Sequence, residues 1–145
     1  MSLFYPSESL QHKLHNTLRK LSKKVLVADT LPNEVRLVAG LDVAYRGDVG
    51  FGALATYDVR KGAFVEVLVE PTVVRIPYIP SLLSFREAPP MLKVIDKARV
   101  AADVYLVNGL GALHPDGCGL ASYIGVVANV PTIGVTKGLL RGSYT

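Results

Sequence analysis

The chain has 145 residues, half of them hydrophobic and 19% charged, with a formal net charge of +4. That length and composition suit one folded domain with a sizeable core and exclude a disordered chain. No apolar run is long enough to cross a bilayer, the N-terminus lacks the pattern of a secretory signal, and a single cysteine, Cys118, forms no internal disulfide; together these point to a cytoplasmic protein.

The spacing of Leu10, Leu14, Leu18, Leu21 and Val25 predicts an amphipathic helix over 8–25, with Ser7 as its cap. Asp29 to Asn33 is a loop around Pro32. Three strands follow: Val35 to Tyr45, Phe51 to Val59 and Ala63 to Ile76. Their short links, Arg46 to Gly50 and Arg60 to Gly62, predict an antiparallel meander. Pro77-Tyr78-Ile79-Pro80 ends the ladder. Ser81 to Glu87 reads as a short helix or turn, Pro89-Pro90 as a second break, and Met91 to Ala102 as a helix opened by proline. Val104 to Val107 and Thr132 to Val135 read as buried strands flanking an apolar helix over Gly119 to Ala128. Three antiparallel strands followed by alternating helix and strand predict an α/β fold. Its mixed five-stranded sheet, three strands antiparallel and then two parallel, carries flanking helices, an order that resembles the ribonuclease H-like core.

Charge is distributed unevenly. No acid occurs from Ser9 to Ala28, where Lys13, Arg19, Lys20, Lys23 and Lys24 lie, nor from Gly117 to Thr145, where Lys137 and Arg141 lie. Such stretches suit a phosphate backbone, or simply a solvated helix face.

Candidate chemistry rests on a few polar residues in apolar settings. Asp42 interrupts the strand Leu37 to Ala44, where a lone buried carboxylate needs a partner or a metal. Asn108 ends a parallel strand, the usual side of a ligand crevice, and Gly109 and Gly111 follow it. Each candidate also has a structural alternative. Asp42 could be a salt-bridged edge acid, Glu87 a loop acid paired with Arg86, and Asn108-Gly109 an ordinary turn. His114 could be a hydrogen-bonded structural histidine and Lys137 a surface lysine.

Five segments in order resemble the signatures of the endonuclease V family: Gly40-Leu41-Asp42-Val43-Ala44-Tyr45, Pro77-Tyr78-Ile79-Pro80, Leu83-Ser84-Phe85-Arg86-Glu87, Gly109 through Gly111 to His114-Pro115, and Pro131 to Lys137. The resemblance implies a divalent-metal endonuclease of DNA repair, using Mg²⁺ or Mn²⁺. It would act on DNA, or in some members RNA, at inosine, hydrolysing the second phosphodiester bond on the 3′ side of the lesion. It also implies that Asp42 and Glu87 are metal ligands and that Tyr78, with Pro77, Ile79 and Pro80, forms a wedge. Ser81, Leu83, Gly109, Gly111 and Leu120 would then line the pocket for a flipped base, with His114 and Lys137 near the cut phosphate. The alternative is a homologue that binds nucleic acid and is impaired in cleavage.

Three departures from the family pattern bear on this. Asn108 stands where the family has a metal-binding aspartate, keeping one oxygen ligand but losing a charge, and neither Asp103 nor Asp116 is placed to substitute. Leu110 replaces a polar residue between the two glycines. The chain is also shorter than family members, so a single domain without the usual C-terminal portion is expected. One sheet face would be uncovered and open to self-association.

Overall fold

A computed structural model of the chain describes residues 4–138. The elements are α1 (Glu8–Ser22), β1 (Leu37–Arg46), β2 (Val49–Asp58), β3 (Ala63–Val73), α2 (Leu83–Lys97), β4 (Val104–Asn108), α3 (Leu120–Ala128) and β5 (Thr132–Val135). They form one five-stranded sheet in the order β3-β2-β1-β4-β5. The β1–β2 and β2–β3 pairs are antiparallel, and the β1–β4 and β4–β5 pairs are parallel. This is the mixed sheet the sequence predicts.

Helix α1 starts where Ser7 Oγ accepts the Leu10 amide at 3.2 Å. It stops at Ser22, short of the predicted Val25, because the Lys24 and Val25 amides bond back only three residues, to Leu21 and Ser22. Val25 still packs with Leu14, Leu18 and Leu21. Strand β3 ends at Val73 rather than Ile76; Pro71 is tolerated in it because β3 is an edge strand.

The clearest difference from the sequence reading is α2. The predicted break at Pro89-Pro90 is absent, and one helix runs from Leu83 through both prolines to Lys97. Each proline lacks the N–H that would bond to the carbonyl four residues back. For Pro90 that carbonyl belongs to Arg86, and it accepts the Tyr45 hydroxyl at 3.2 Å instead. Pro90 is buried where α2 crosses β2. A Cβ on Gly52 would lie 2.2 Å from the Pro90 carbonyl oxygen, so this crossing depends on a residue without a side chain.

Helices α2 and α3 cover one face of the sheet. The core there contains Ala39, Leu41, Leu54, Ala88, Met91, Val94, Tyr105, Val107, Leu120 and Ile124. A second cluster joins α1 to the segment before α2 through Leu18, Ile79, Leu82 and Cys118. Among the described residues the opposite sheet face is uncovered. Val67, Val69, Ile133 and Val135 are exposed there. Strand β5 is therefore largely exposed, not the buried strand predicted, because it is a sheet edge with one bare face.

Candidate active site

The alternation of β1 sends Ala39 and Leu41 into the core and Gly40 and Asp42 to the open face. Asp42 is thus exposed, not buried within its strand as the sequence suggested. The parallel β1–β4 register, with Leu41 opposite Val107, brings Asn108 beside Asp42. Asn108 Nδ2 donates to Asp42 Oδ1 at 3.0 Å, and the Val43 amide donates to the same oxygen at 2.8 Å. A neutral amide beside a carboxylate can offer it a proton; a second aspartate would repel it unless a cation lay between them.

Glu87 reaches the same region from α2. Burial, reinforced by the negative charge of Asp42 and opposed by Arg86, pushes its carboxyl up to about 7. Arg86 does not neutralise the pair, because its guanidinium is committed elsewhere. Its Nη1 donates to the Ile76 carbonyl at 2.6 Å and its Cζ lies 4.0 Å from the Tyr45 ring centroid. Tyr45 is pushed up to about 12 by burial and by the charge of Glu87. Sequence reasoning gave Tyr45 no role, although its place three residues after Asp42, on the opposite face, was visible.

Asp42 and Asn108 end a shallow cleft of about 500 Å³ floored by Gly40, Ala53, Ala55, Val67, Leu106 and Val135. A larger hollow of about 860 Å³ between the Lys24–Leu31 segment, α3 and β5 includes Gly111 and Asp29 but neither Asp42 nor Glu87. Of the two, only the smaller cleft is lined by Asp42 and Asn108. Lys137 follows β5 just beyond Val135, the register partner of Asn108, and is exposed at that end of the sheet.

The other predicted residues form a second group. Tyr78 projects with 65% of its surface exposed, whereas Ile79 is 6% exposed and anchors the turn against Leu18 and Leu82. Ile79 therefore holds the Pro77–Pro80 turn rather than offering a contact surface. Pro77 is half-buried and Pro80 exposed. Ser81 takes a left-handed backbone with φ of 65°, and Ser81 and Leu83 are half-buried. Leu120 is buried beneath Gly109, where a Cβ would come 2.9 Å from the Leu120 Cβ.

His114 belongs to this second group. Its Nδ1 accepts the Asp116 amide at 3.1 Å, so its Nε2–H donates to the Ser81 carbonyl at 2.9 Å. Burial pulls its pKa below the ordinary histidine value, and the charged groups acting on it are Asp116 and His15, not Asp42 or Glu87. Asp116 turns away from the cleft to His15 and Arg19, and Asp103 caps the start of β1 through the Arg36 and Leu37 amides. Neither acid replaces the missing charge at Asn108. Among the described residues no three His, Cys, Asp or Glu side chains gather around one point.

A family model described as Endonuclease V matches residues 19–145. The chain belongs to the endonuclease V family. Endonuclease V of Thermofilum pendens is 43% identical over 122 residues, 84% of this chain and 53% of the relative. That of Thermococcus kodakarensis is 37% identical over 137 residues, 94% of this chain and 68% of the relative. The catalytic domain of human Endonuclease V superposes with a TM-score of 0.85 at 27% identity, covering 93% of this chain and 61% of that one. Ciona intestinalis Endonuclease V, solved with a 24mer DNA containing an inosine, also gives 0.85 at 26% identity, covering 93% of this chain and 60% of that one. The chain thus spans roughly half to two thirds of the length of the endonuclease V relatives it matches. The family's solved structures share its ribonuclease H-like sheet.

Proposed function

We propose that the chain carries the inosine-directed nuclease site of an endonuclease V, hydrolysing the second phosphodiester bond 3′ to deaminated adenine. What supports this reading is the Asn108–Asp42 hydrogen bond at the edge of a cleft, together with the charge of Asp42 acting on Glu87. That donor set is all oxygen, and it fits a hard divalent cation. Asp42, Glu87 and Asn108 would hold Mg²⁺ or Mn²⁺, which when bound supplies charge neutralisation at the phosphate and an activated water.

The chain's own residues do the rest. Lys137 offers positive charge at the same end of the sheet. Exposed Tyr78, on a turn anchored by Ile79 and stiffened by Pro77 and Pro80, serves as the wedge where a base leaves the stack. Ser81, Leu83, Gly109, Gly111 and Leu120 supply the pocket for that base, with Leu120 as its floor. The exposed lysines of α1, Lys13 and Lys20, provide charge for a nucleic-acid backbone, DNA or RNA. The uncovered sheet face would draw copies together, which sedimentation at rising concentration tests.

The Asn108–Asp42 hydrogen bond favours a second reading, a homologue that binds and does not cut. To admit a cation the amide must give up that bond and present its oxygen, and it brings no charge. The test is a deoxyinosine oligonucleotide incubated with the protein and Mg²⁺ or Mn²⁺. A nick directly after the 3′ neighbour of inosine is expected. Salt-sensitive binding without any nick would leave the second reading standing.

A further inference from the structure

Asp116 gathers His15 and Arg19 at its carboxylate and His114 at its backbone amide, an arrangement the reading above does not explain. Asp116 is 5% exposed at its side chain, yet its partners come from a helix a hundred residues away. His15 Nδ1 donates to its Oδ2 at 2.5 Å and Arg19 Nε donates to its Oδ1 at 2.9 Å. Both carboxylate oxygens are therefore taken, and Asp116 cannot swing. Its own amide then points at His114 Nδ1 and excludes a proton from that nitrogen, so the imidazole carries its proton on Nε2, aimed at Ser81. Ser81 is a non-glycine residue in the left-handed region, a conformation that persists only where surrounding contacts enforce it. The chain of contacts runs from α1 through Asp116 and His114 to the turn that bears Tyr78.

We infer that Asp116, clamped by His15 and Arg19, is the positioning residue of this site: it fixes the His114 tautomer and latches the His114 loop to the Tyr78 turn so that they move as one unit. The inference rests on the proposed inosine-nuclease reading for its catalytic meaning, though the tautomer itself does not. The sequence alone offered Asp116 only as a distant candidate for a metal ligand. The geometry gives it a different task, and it makes α1 part of the site rather than a solvated accessory.

The experiment compares wild type with Asp116→Asn and with the double variant H15A/R19A. The imidazole nitrogen shifts of His114 are read by NMR, and nicking of the deoxyinosine oligonucleotide is read at saturating and limiting substrate. Wild type should show one His114 tautomer with a bare Nδ1. The variants should show mixed tautomers, with turnover at saturation falling on the order of tenfold, part of the hundredfold or more that such groups contribute. Half-saturating substrate should change by less than about twofold, since few contacts to bound nucleic acid are lost. Folded variants that keep the single tautomer and full turnover would overturn the inference and reduce the cluster to a helix dock. If both variants fail to fold, Arg19→Gln, altered from the exposed side, decides: a partial shift in the tautomer supports the clamp and none refutes it. A wild-type protein that neither binds nor nicks the oligonucleotide sinks the nuclease reading, while the NMR comparison still judges the clamp.

Discussion

The β1–β2 hairpin carries one carboxylate at its open end, Asp58, and another midway along β1, Asp42, and their surroundings differ sharply. At one end Asp58 is 1% exposed and fully compensated. Arg36 grips it through Nε and Nη2 at 3.0 and 2.8 Å, and the Arg60 and Lys61 amides donate to its other oxygen. The Arg36 hydrogen bond, opposed by burial and aided by those amides and the guanidinium charge, holds its carboxyl down at about 2. At mid-strand Asp42 is exposed and has one amide neighbour besides the adjacent backbone N–H; its charge reinforces the burial that pushes Glu87 up to about 7. The buried acid is held by fixed partners, whereas the exposed one keeps a like-charged neighbour, as the proposed site requires. Burial alone would have selected the wrong carboxylate.

The largest effect should come from Asp42→Ala, which removes the charge the site is built around. Nicking of the deoxyinosine strand should fall a hundredfold or more, with little change in melting temperature. A variant that unfolds instead would mean that Asp42 resembles Asp58 after all. Asn108→Asp should act in the other direction and speed nicking about tenfold by restoring a charged ligand. Titration calorimetry with Mn²⁺ should show tighter binding alongside it, and equal or slower cutting would remove Asn108 from the ligand set.

Asp58→Asn should leave nicking within about twofold yet lower the melting temperature by roughly 5 °C, since it strands the Arg36 guanidinium over a buried neutral amide. The smallest effect is a pH dependence. Glu87 titrates higher in the folded chain than its ordinary 4.5, so the native state retains a proton that the unfolded chain releases. In a chelator, stability from this group is greatest below pH 4.5 and is lost as pH rises through about 7. Asp58 has the opposite sign: its contribution is present above its ordinary 3.8 and is lost as pH falls toward about 2. Melting scans across pH 4 to 8 should decline by a few degrees, and Glu87→Gln should flatten the decline.

Much of this fold was readable in the chain. Apolar runs bounded by turn residues located all five strands, though not every boundary, and the leucine spacing placed α1. What local patterns could not supply was tertiary compensation. Pro89-Pro90 reads as a break because the sequence near it does not show Gly52 making room or Tyr45 taking the orphaned carbonyl. Asp42 reads as buried because alternation reveals two faces without saying which one is covered. The roles of Asp58 and Asp116 depend on partners 22 and 101 residues away, beyond any motif window. The site itself was legible only through family signatures: Asp42, Glu87 and Asn108 come from three separate elements, and no spacing rule joins them.

The proline pair in α2 has a consequence for anyone redesigning this protein. Replacing Pro90 with alanine is a standard way to strengthen a helix, since it restores a missing donor. Here that donor would compete with the Tyr45 hydroxyl for the Arg86 carbonyl, one residue before Glu87. A more regular helix would slacken the fastening beside Glu87, so local ideality and the proposed cation site pull in opposite directions at this position.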